Sequence, residues 1–274
     1  MDYRTILVHL DDSVRSAVRG RLAAKLALQH EAHLIGLAPS GLVNLPGQAG
    51  ADFMHLSLKQ LRERAQAVAE GFRQQATGFG VASCEARALE ADPLPATVMQ
   101  GRCSDLVVVG QSGPGRIDQP IPRDFPQLVL LHVGRPVLIV PNVGEWSSVA
   151  RRVLVAWNPS RECARALHDA LPLLRRAEQV HLLFLDRPQD EHDAGRLQFE
   201  QVRPALERHG VTLQARVVLT QVDAGNALLA EAADLGADLL VMGGYGHSRL
   251  AEFVLGGTTR TVLKQMNLPV LMSH

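Results

Sequence analysis

The sequence predicts a duplicated α/β protein whose parallel sheets are covered by helices on both faces, on three observations. Short, almost wholly apolar runs such as Thr5-Ile6-Leu7-Val8 and Arg152-Val153-Leu154-Val155 alternate with segments of helical periodicity, the pattern of strands buried on both sides. The pattern also occurs twice. Asp105-Leu-Val-Val-Val-Gly110 matches Asp238-Leu-Leu-Val-Met-Gly243 at an offset of 133 positions, and Arg135-Pro-Val-Leu-Ile matches Leu268-Pro-Val-Leu-Met at the same offset. Finally, 274 residues suffice for two ordinary domains.

In chain order, each opening strand feeds a polar turn: Asp11-Asp12-Ser13 in the first half, Asn158-Pro159-Ser160 in the second. A helical pattern follows. In the second half Ala164, Leu167, Leu171 and Leu174 recur at helical spacing, with Ser160 as the N-cap. His33 to Leu37 and Val180 to Leu185 read as second strands, and Cys84 to Leu89 and Leu213 to Val218 as third strands. The opening strands are offset by 147 rather than 133, so the first half is about 14 residues longer. The excess is assigned to a loop from Gly41 to Leu56, ahead of an amphipathic helix from about Leu58 to Gln75. Asn142 to Ser148 reads as a linker between a first domain, 1–142, and a second, 150–274. The competing reading is one continuous α/β domain, but matched spacing across a whole strand-turn-helix-strand block argues for duplication.

Composition narrows the function. Apolar residues make up 46% and charged residues 20% of a chain with zero formal charge, which fits a soluble globular protein and offers no broad electrostatic footprint for nucleic acid. Aromatic residues, at 4%, leave little for base stacking. No apolar run reaches membrane-spanning length, and the start reads as a strand rather than a signal peptide. Cys84, Cys103 and Cys163 lack CxxC spacing, which suggests a reducing cytoplasm and neither a disulfide framework nor a metal site.

The chemistry concentrates between Val241 and Met272. Gly243 and Gly246 flank a turn after the fourth strand; Gly256 and Gly257 precede a helix opening on Thr258 and Thr259. Glycine permits φ > 0 and close backbone approach to a ligand. Free amides of a helix's first turn attract an anion, and threonine hydroxyls can cap the helix or donate to phosphate. The plainer alternative is that these glycines serve turns and close helix–sheet packing. Other nucleotide motifs are missing: the lysines are Lys25, Lys59 and Lys264, none following a glycine, and no G-x-G-x-x-G opens either half. Any phosphate site must use backbone and hydroxyls, with Arg249 or Arg260 as candidate helpers.

The block Gly243-x2-Gly246-x9-Gly256 resembles the nucleotide-binding loop of universal stress proteins, G-x2-G-x9-G-[S/T]. Here Gly257 follows in place of the hydroxyl residue, and Thr258 and Thr259 come next. The resemblance extends over essentially the whole chain, as a tandem member of the family. It implies a doubly wound, Rossmann-like five-stranded parallel sheet in each half, order 3-2-1-4-5, and ATP, with or without Mg²⁺, as the ligand. It places Ala156 and Leu185 at the adenine and Met242, Gly243, Tyr245 and Gly246 at the phosphates. Asn158 stands where ATP-binding members carry an acid; it can hydrogen-bond but holds no charge.

The first half retains Gly110 and Gly113, but Gly256-Gly257-Thr258-Thr259 becomes Arg123-Asp124-Phe125-Pro126. Asp124 repels phosphate, Phe125 adds bulk and Pro126 has no N–H, so this site is expected to be empty or to take something other than a nucleotide. Asp11 is read as an acid facing the helix dipole. The functional expectation is a cytoplasmic stress-response protein that binds ATP in its second half as a sensor or regulator. The alternatives are a nucleotide-independent scaffold and, less favoured, a slow ATPase with Glu252 or His247 as base. No catalytic or metal residue is assigned. The last strands of the halves are expected to pair, and a homodimer is compatible with the family resemblance.

Overall fold

The computed structural model of the chain describes residues 2–41, 51–113, 121–122, 124–146, 148–186, 192–246 and 257–274, with backbone alone over 51–55 and 192–197. The chain divides into two compact units, Asp2–Arg135 and Pro136–His274.

The first unit runs β1 (Thr5–His9), α1 (Val14–His30), β2 (His33–Pro39), α2 (Ala51–Gly78), β3 (Cys84–Leu89), α3 (Pro93–Gly101), β4 (Leu106–Gly110) and α4 (Phe125–Val133). Its strands are parallel in the order β3-β2-β1-β4, with Ile6 in register with both Leu34 and Leu106. The core is made by Ile6, Leu7, Leu34, Leu37 and Leu106, all fully buried, each worth roughly 1.5–3 kcal/mol of transfer free energy. α2 starts at Ala51, inside the stretch expected to be loop: Ala51, Met54 and Leu56 are strong helix formers and residues 51–56 hold no Gly or Pro.

The second unit opens with β5 (Val137–Val140), then β6 (Arg152–Trp157), α5 (Arg161–Asp169), α6 (Leu171–Leu174), β7 (Gln179–Asp186), α7 (His192–Arg208), β8 (Gln214–Leu219), α8 (Ala224–Asp234), β9 (Leu239–Gly243), α9 (Gly257–Gln265) and β10 (Val270–Ser273). The order β8-β7-β6-β9-β10 is the expected 3-2-1-4-5, all parallel. β5, the last strand of the first repeat, lies in this unit and pairs antiparallel with β10, Leu138 opposite Leu271. Pairing covers an apolar strand edge that would otherwise be open to other chains. The helical pattern from Ala164 to Leu174 is two helices, not one: Pro172 has no N–H for the His168 carbonyl, so α5 ends and α6 begins at Ala170.

One device recurs in both repeats. Asp105 Oδ2 accepts the Arg4 and Thr5 amides at 2.7 and 2.9 Å. Asp238 accepts the Arg151 and Arg152 amides at 3.1 and 2.9 Å. In each repeat the acid before the fourth strand thus ties down the start of the first.

Candidate functional site

In a doubly wound sheet the ligand crevice lies beyond the carboxyl ends of the strands. In the second unit β6, β7 and β9 end there, and α5 and α9 begin there. At the end of β6, Ser160 Oγ donates to Asn158 Oδ1 at 2.7 Å and accepts the Cys163 amide at 3.1 Å. Ser160 is therefore the N-cap of α5, as its sequence position predicts. The Cys163 thiol donates to the Ala156 carbonyl at 3.1 Å. Burial pushes that thiol up to about 11, so it packs rather than reacts. Ala156 is in register with Leu183. Strand alternation puts Ala156, Leu183, Leu185 and Met242 on one face and Trp157, Phe184 and Gly243 on the other.

The turn after β9 comes back to α9. Gly244 N–H donates to Ser273 O at 2.9 Å, and the Gly244 carbonyl accepts from His274 Nδ1 at 3.0 Å. Tyr245 N–H donates to Thr259 Oγ1 at 3.2 Å. This bond joins the two glycine segments that the sequence singled out, and it engages a lone pair of Thr259, a residue only 4% exposed. Gly257 opens α9 with nothing within 4 Å of where a Cβ would stand, and Thr258 is half-buried beside it. α9 is seated by Val262 and Leu263, both buried. Gly256, with His247, Arg249 and Glu252, lies outside the described residues.

The left-handed backbone expected of the glycines belongs instead to Tyr245, at φ 58°. Gly243 serves close packing: a Cβ there would lie 2.6 Å from the Cys163 amide nitrogen, inside the backbone of α5. At Gly246 a Cβ would meet Glu162 Oε2 at 2.8 Å and Ser160 Oγ at 3.3 Å. Composition and spacing did not point to Glu162, since an acid in a first helical turn is commonplace. It is 3% exposed and pairs with Arg161. Burial raises its pKa, but the Arg161 hydrogen bond and charge and its own amide outweigh burial, so the net shift is downward and Glu162 is ionised at neutral pH.

The first unit uses the same positions differently. Arg19, with a side chain 4% exposed, donates to the His9 carbonyl at 2.8 Å and to Asp11 Oδ2 at 2.8 Å. A Cβ at Gly110 would run into its Nη1, so the guanidinium occupies the space beside the first glycine. Asp11 also accepts from the Ser13 amide and hydroxyl. Its main partner is therefore a buried cation, not the dipole of α1. Burial works to raise the Asp11 pKa, but Arg19, His9 and Ser13 bring it far below the usual carboxylate range. The His9 ring packs on Phe125, centroids 4.6 Å apart, and burial with Arg19 lowers its pKa to about 3. What remains open is a cleft of about 60 Å³, lined by His9, Asp11, Asp12, Ser40 and Arg64 among others, room for a few waters. The sequence gives no warning of Arg19, because an arginine in an amphipathic helix normally faces solvent.

Among the described residues no cluster of His, Cys, Asp and Glu is placed to hold a metal, and no helix is long and apolar enough to cross a membrane. The second unit is thus a doubly wound α/β domain with a hydroxyl-bridged glycine turn in its crevice. Residues 150–274 match the model of the universal stress protein family, and the chain carries a domain of that family. A universal stress protein of Synechocystis is 24% identical over 174 residues, 61% of this chain and 57% of that protein, so the match spans little over half of the relative's length. Over the whole chain the likeness is one of fold. A universal stress protein from Archaeoglobus fulgidus superposes with a TM-score of 0.76 at 18% identity, covering 97% of this chain and 94% of that one. A functionally unknown protein from Pseudomonas aeruginosa gives 0.63 at 16% identity, covering 98% and 92%.

Proposed function

We propose that the chain is a cytoplasmic stress-response protein that binds an adenine nucleotide, ATP, in the crevice of its second domain and works as a sensor or regulator rather than a catalyst. Domains of 1–142 and 150–274 are the corresponding proposal for its organisation. The observation that carries this reading is the Tyr245 N–H to Thr259 Oγ1 bond. It brings the turn after β9 to the first turn of α9, whose leading glycine faces open space. A phosphate there would meet backbone amides, a helix N-terminus and the Thr258 hydroxyl. Ala156 and Leu185 would supply an apolar face for the base, Met242 would border the phosphates, and Asn158 would offer a neutral hydrogen-bonding group. Titration calorimetry with ATP and Mg²⁺ tests this: saturable heat is expected, and none at about millimolar ligand with folded protein overturns it.

A nucleotide-independent scaffold is the second reading, favoured by one observation. Gly243 is consumed by α5 packing and Asn158 Oδ1 by Ser160, so part of the motif has a structural use without a ligand. Partner capture unchanged by ATP would support it. For self-association we propose a homodimer of the tandem chain, tested by light scattering with mass resolution; the final strands of the two repeats already pair with each other in one chain.

A further inference from the structure

The first turn of α5 carries an acid where the glycine turn after β9 lies beside it. Glu162 is 3% exposed. Arg161, its own side chain 75% exposed, engages Oε1 from the solvent side. Oε2 is turned to Gly246, 2.8 Å from where a Cβ would stand, with Ser160 Oγ 3.3 Å from the same point. A carboxylate, a hydroxyl and the α-carbon of a motif glycine therefore converge. The amide of α5 that would otherwise face an anion is taken, because Cys163 N–H is donated to Ser160 Oγ, and the partial positive charge of the helix start is already answered by Glu162.

The Gly244 and Tyr245 amides of this turn are already donated, to Ser273 O and Thr259 Oγ1, so a phosphate would be received at Gly246 and the start of α9, within a few ångströms of that fixed negative charge. Two unit charges about 5 Å apart, at the effective dielectric of a protein margin, oppose each other by about two orders of magnitude in affinity. Arg161 and solvent reduce this to about tenfold. Resting on the adenine-nucleotide reading of this crevice, we propose that Glu162 is its specificity-determining residue, a charge filter that disfavours free polyphosphate tails and ranks adenine ligands inversely to the charge they bring to the Gly246 turn. The filter acts through charge, so it discriminates by phosphate charge and not by base.

The test is calorimetric titration of the full chain with adenosine, AMP, ADP and ATP in EDTA, for the native protein and E162Q. The variant keeps the size of the side chain and removes its charge. Affinity for the native protein should fall along the series. E162Q should bind ATP about tenfold more tightly while its adenosine affinity moves by less than about twofold. A second arm uses the native chain alone: adding Mg²⁺, which neutralises the phosphates, should tighten ATP by a similar factor and leave adenosine unmoved. An ATP-to-adenosine ratio equal in the two proteins, or a native ATP affinity indifferent to Mg²⁺ should E162Q not fold, overturns the filter while leaving nucleotide binding intact. If none of the four ligands binds either protein, the adenine-nucleotide reading fails and the filter with it.

Discussion

Replacing Gly243 with alanine separates a packing glycine from a ligand-facing one. The added Cβ would stand 2.6 Å from Cys163 N, 2.8 Å from Glu162 C and 3.0 Å from Cys163 Cα. All three are backbone atoms of α5, so no side-chain rotation relieves the clash and the helix start must move. Overpacking of this kind costs about 1–3 kcal/mol, and for a chain of this size each kcal/mol lowers the melting temperature by about 2–4 °C. Gly246→Ala meets only the end of the Glu162 side chain at its shortest contact, which can swing aside, so its stability cost should stay below about 1 kcal/mol. Gly257→Ala meets nothing within 4 Å at a helix start and should be neutral or stabilise by about 0.5–1 kcal/mol. Urea unfolding and calorimetric melting of the three variants beside the native chain give the ranking. G243A melting with the native protein, or G257A proving the most damaging, would refute the packing argument.

Three further outcomes follow from the same contacts. Burial and Arg19 lower the His9 pKa from 6.5 to about 3, so the unfolded chain binds more protons between those values and stability falls as pH drops through that window; His9→Gln should flatten the urea midpoint between pH 7 and 4, and an unaltered slope contradicts the assignment. Arg19→Met leaves the Asp11 carboxylate without its cation and should cost about 3 kcal/mol, with part recovered in the R19M/D11N double variant; additive losses in a double-mutant cycle would show that the pair is not coupled. Asp238→Ala removes the acceptor of the Arg151 and Arg152 amides and should cost about 1 kcal/mol, since water can replace it at this exposed strand start; equal loss from D105A in the first repeat checks that the two acids do one job.

The inner strands were legible because a strand buried on both faces announces itself as an apolar run, as at Leu106–Gly110, and the half-buried edge strand Cys84–Leu89 also matches residue for residue. The order of the sheet came from the family resemblance and not from the runs themselves. The break at Ala170 was written in Pro172, but the apolar spacing from Ala164 to Leu174 spoke louder than the missing N–H. At the site the sequence located the segment and misassigned its parts. Whether a glycine serves φ, packing or a ligand depends on what the fold brings against it. For Gly243 that is the backbone of α5, 80 positions earlier at Cys163. The left-handed residue is Tyr245, which no propensity would nominate. Arg19 and Glu162 were illegible for the same reason: a charge on a helix looks like surface until the sheet is placed beneath it.

The two repeats share a frame, fixed in each by the acid before the fourth strand, so their differences can be read position by position. At the carboxyl ends of the strands the exchanges run mostly one way. His9 is replaced by Ala156, Arg19 by Ala166, Asp124 by Gly257 and Phe125 by Thr258. In the first repeat three of those side chains are buried at this end: the His9 ring lies on Phe125, and Arg19 stands beside Gly110. In the second, the place beside the first glycine is taken by the backbone of α5, since a Cβ at Gly243 would lie 2.6 Å from Cys163 N, while Gly257 has nothing within 4 Å of where a Cβ would stand. The reverse exchange, Leu10 for Trp157, falls on the face of Gly243, where Phe184 meets Phe199 of α7. Side-chain volume at the start of the last helix is thus smaller in the second repeat than in the first. That difference, together with the Tyr245 N–H to Thr259 Oγ1 bond, is what supports proposing the ligand site in the second repeat, and the buried Arg19–Asp11 pair is what the first repeat holds at the same end of its strands.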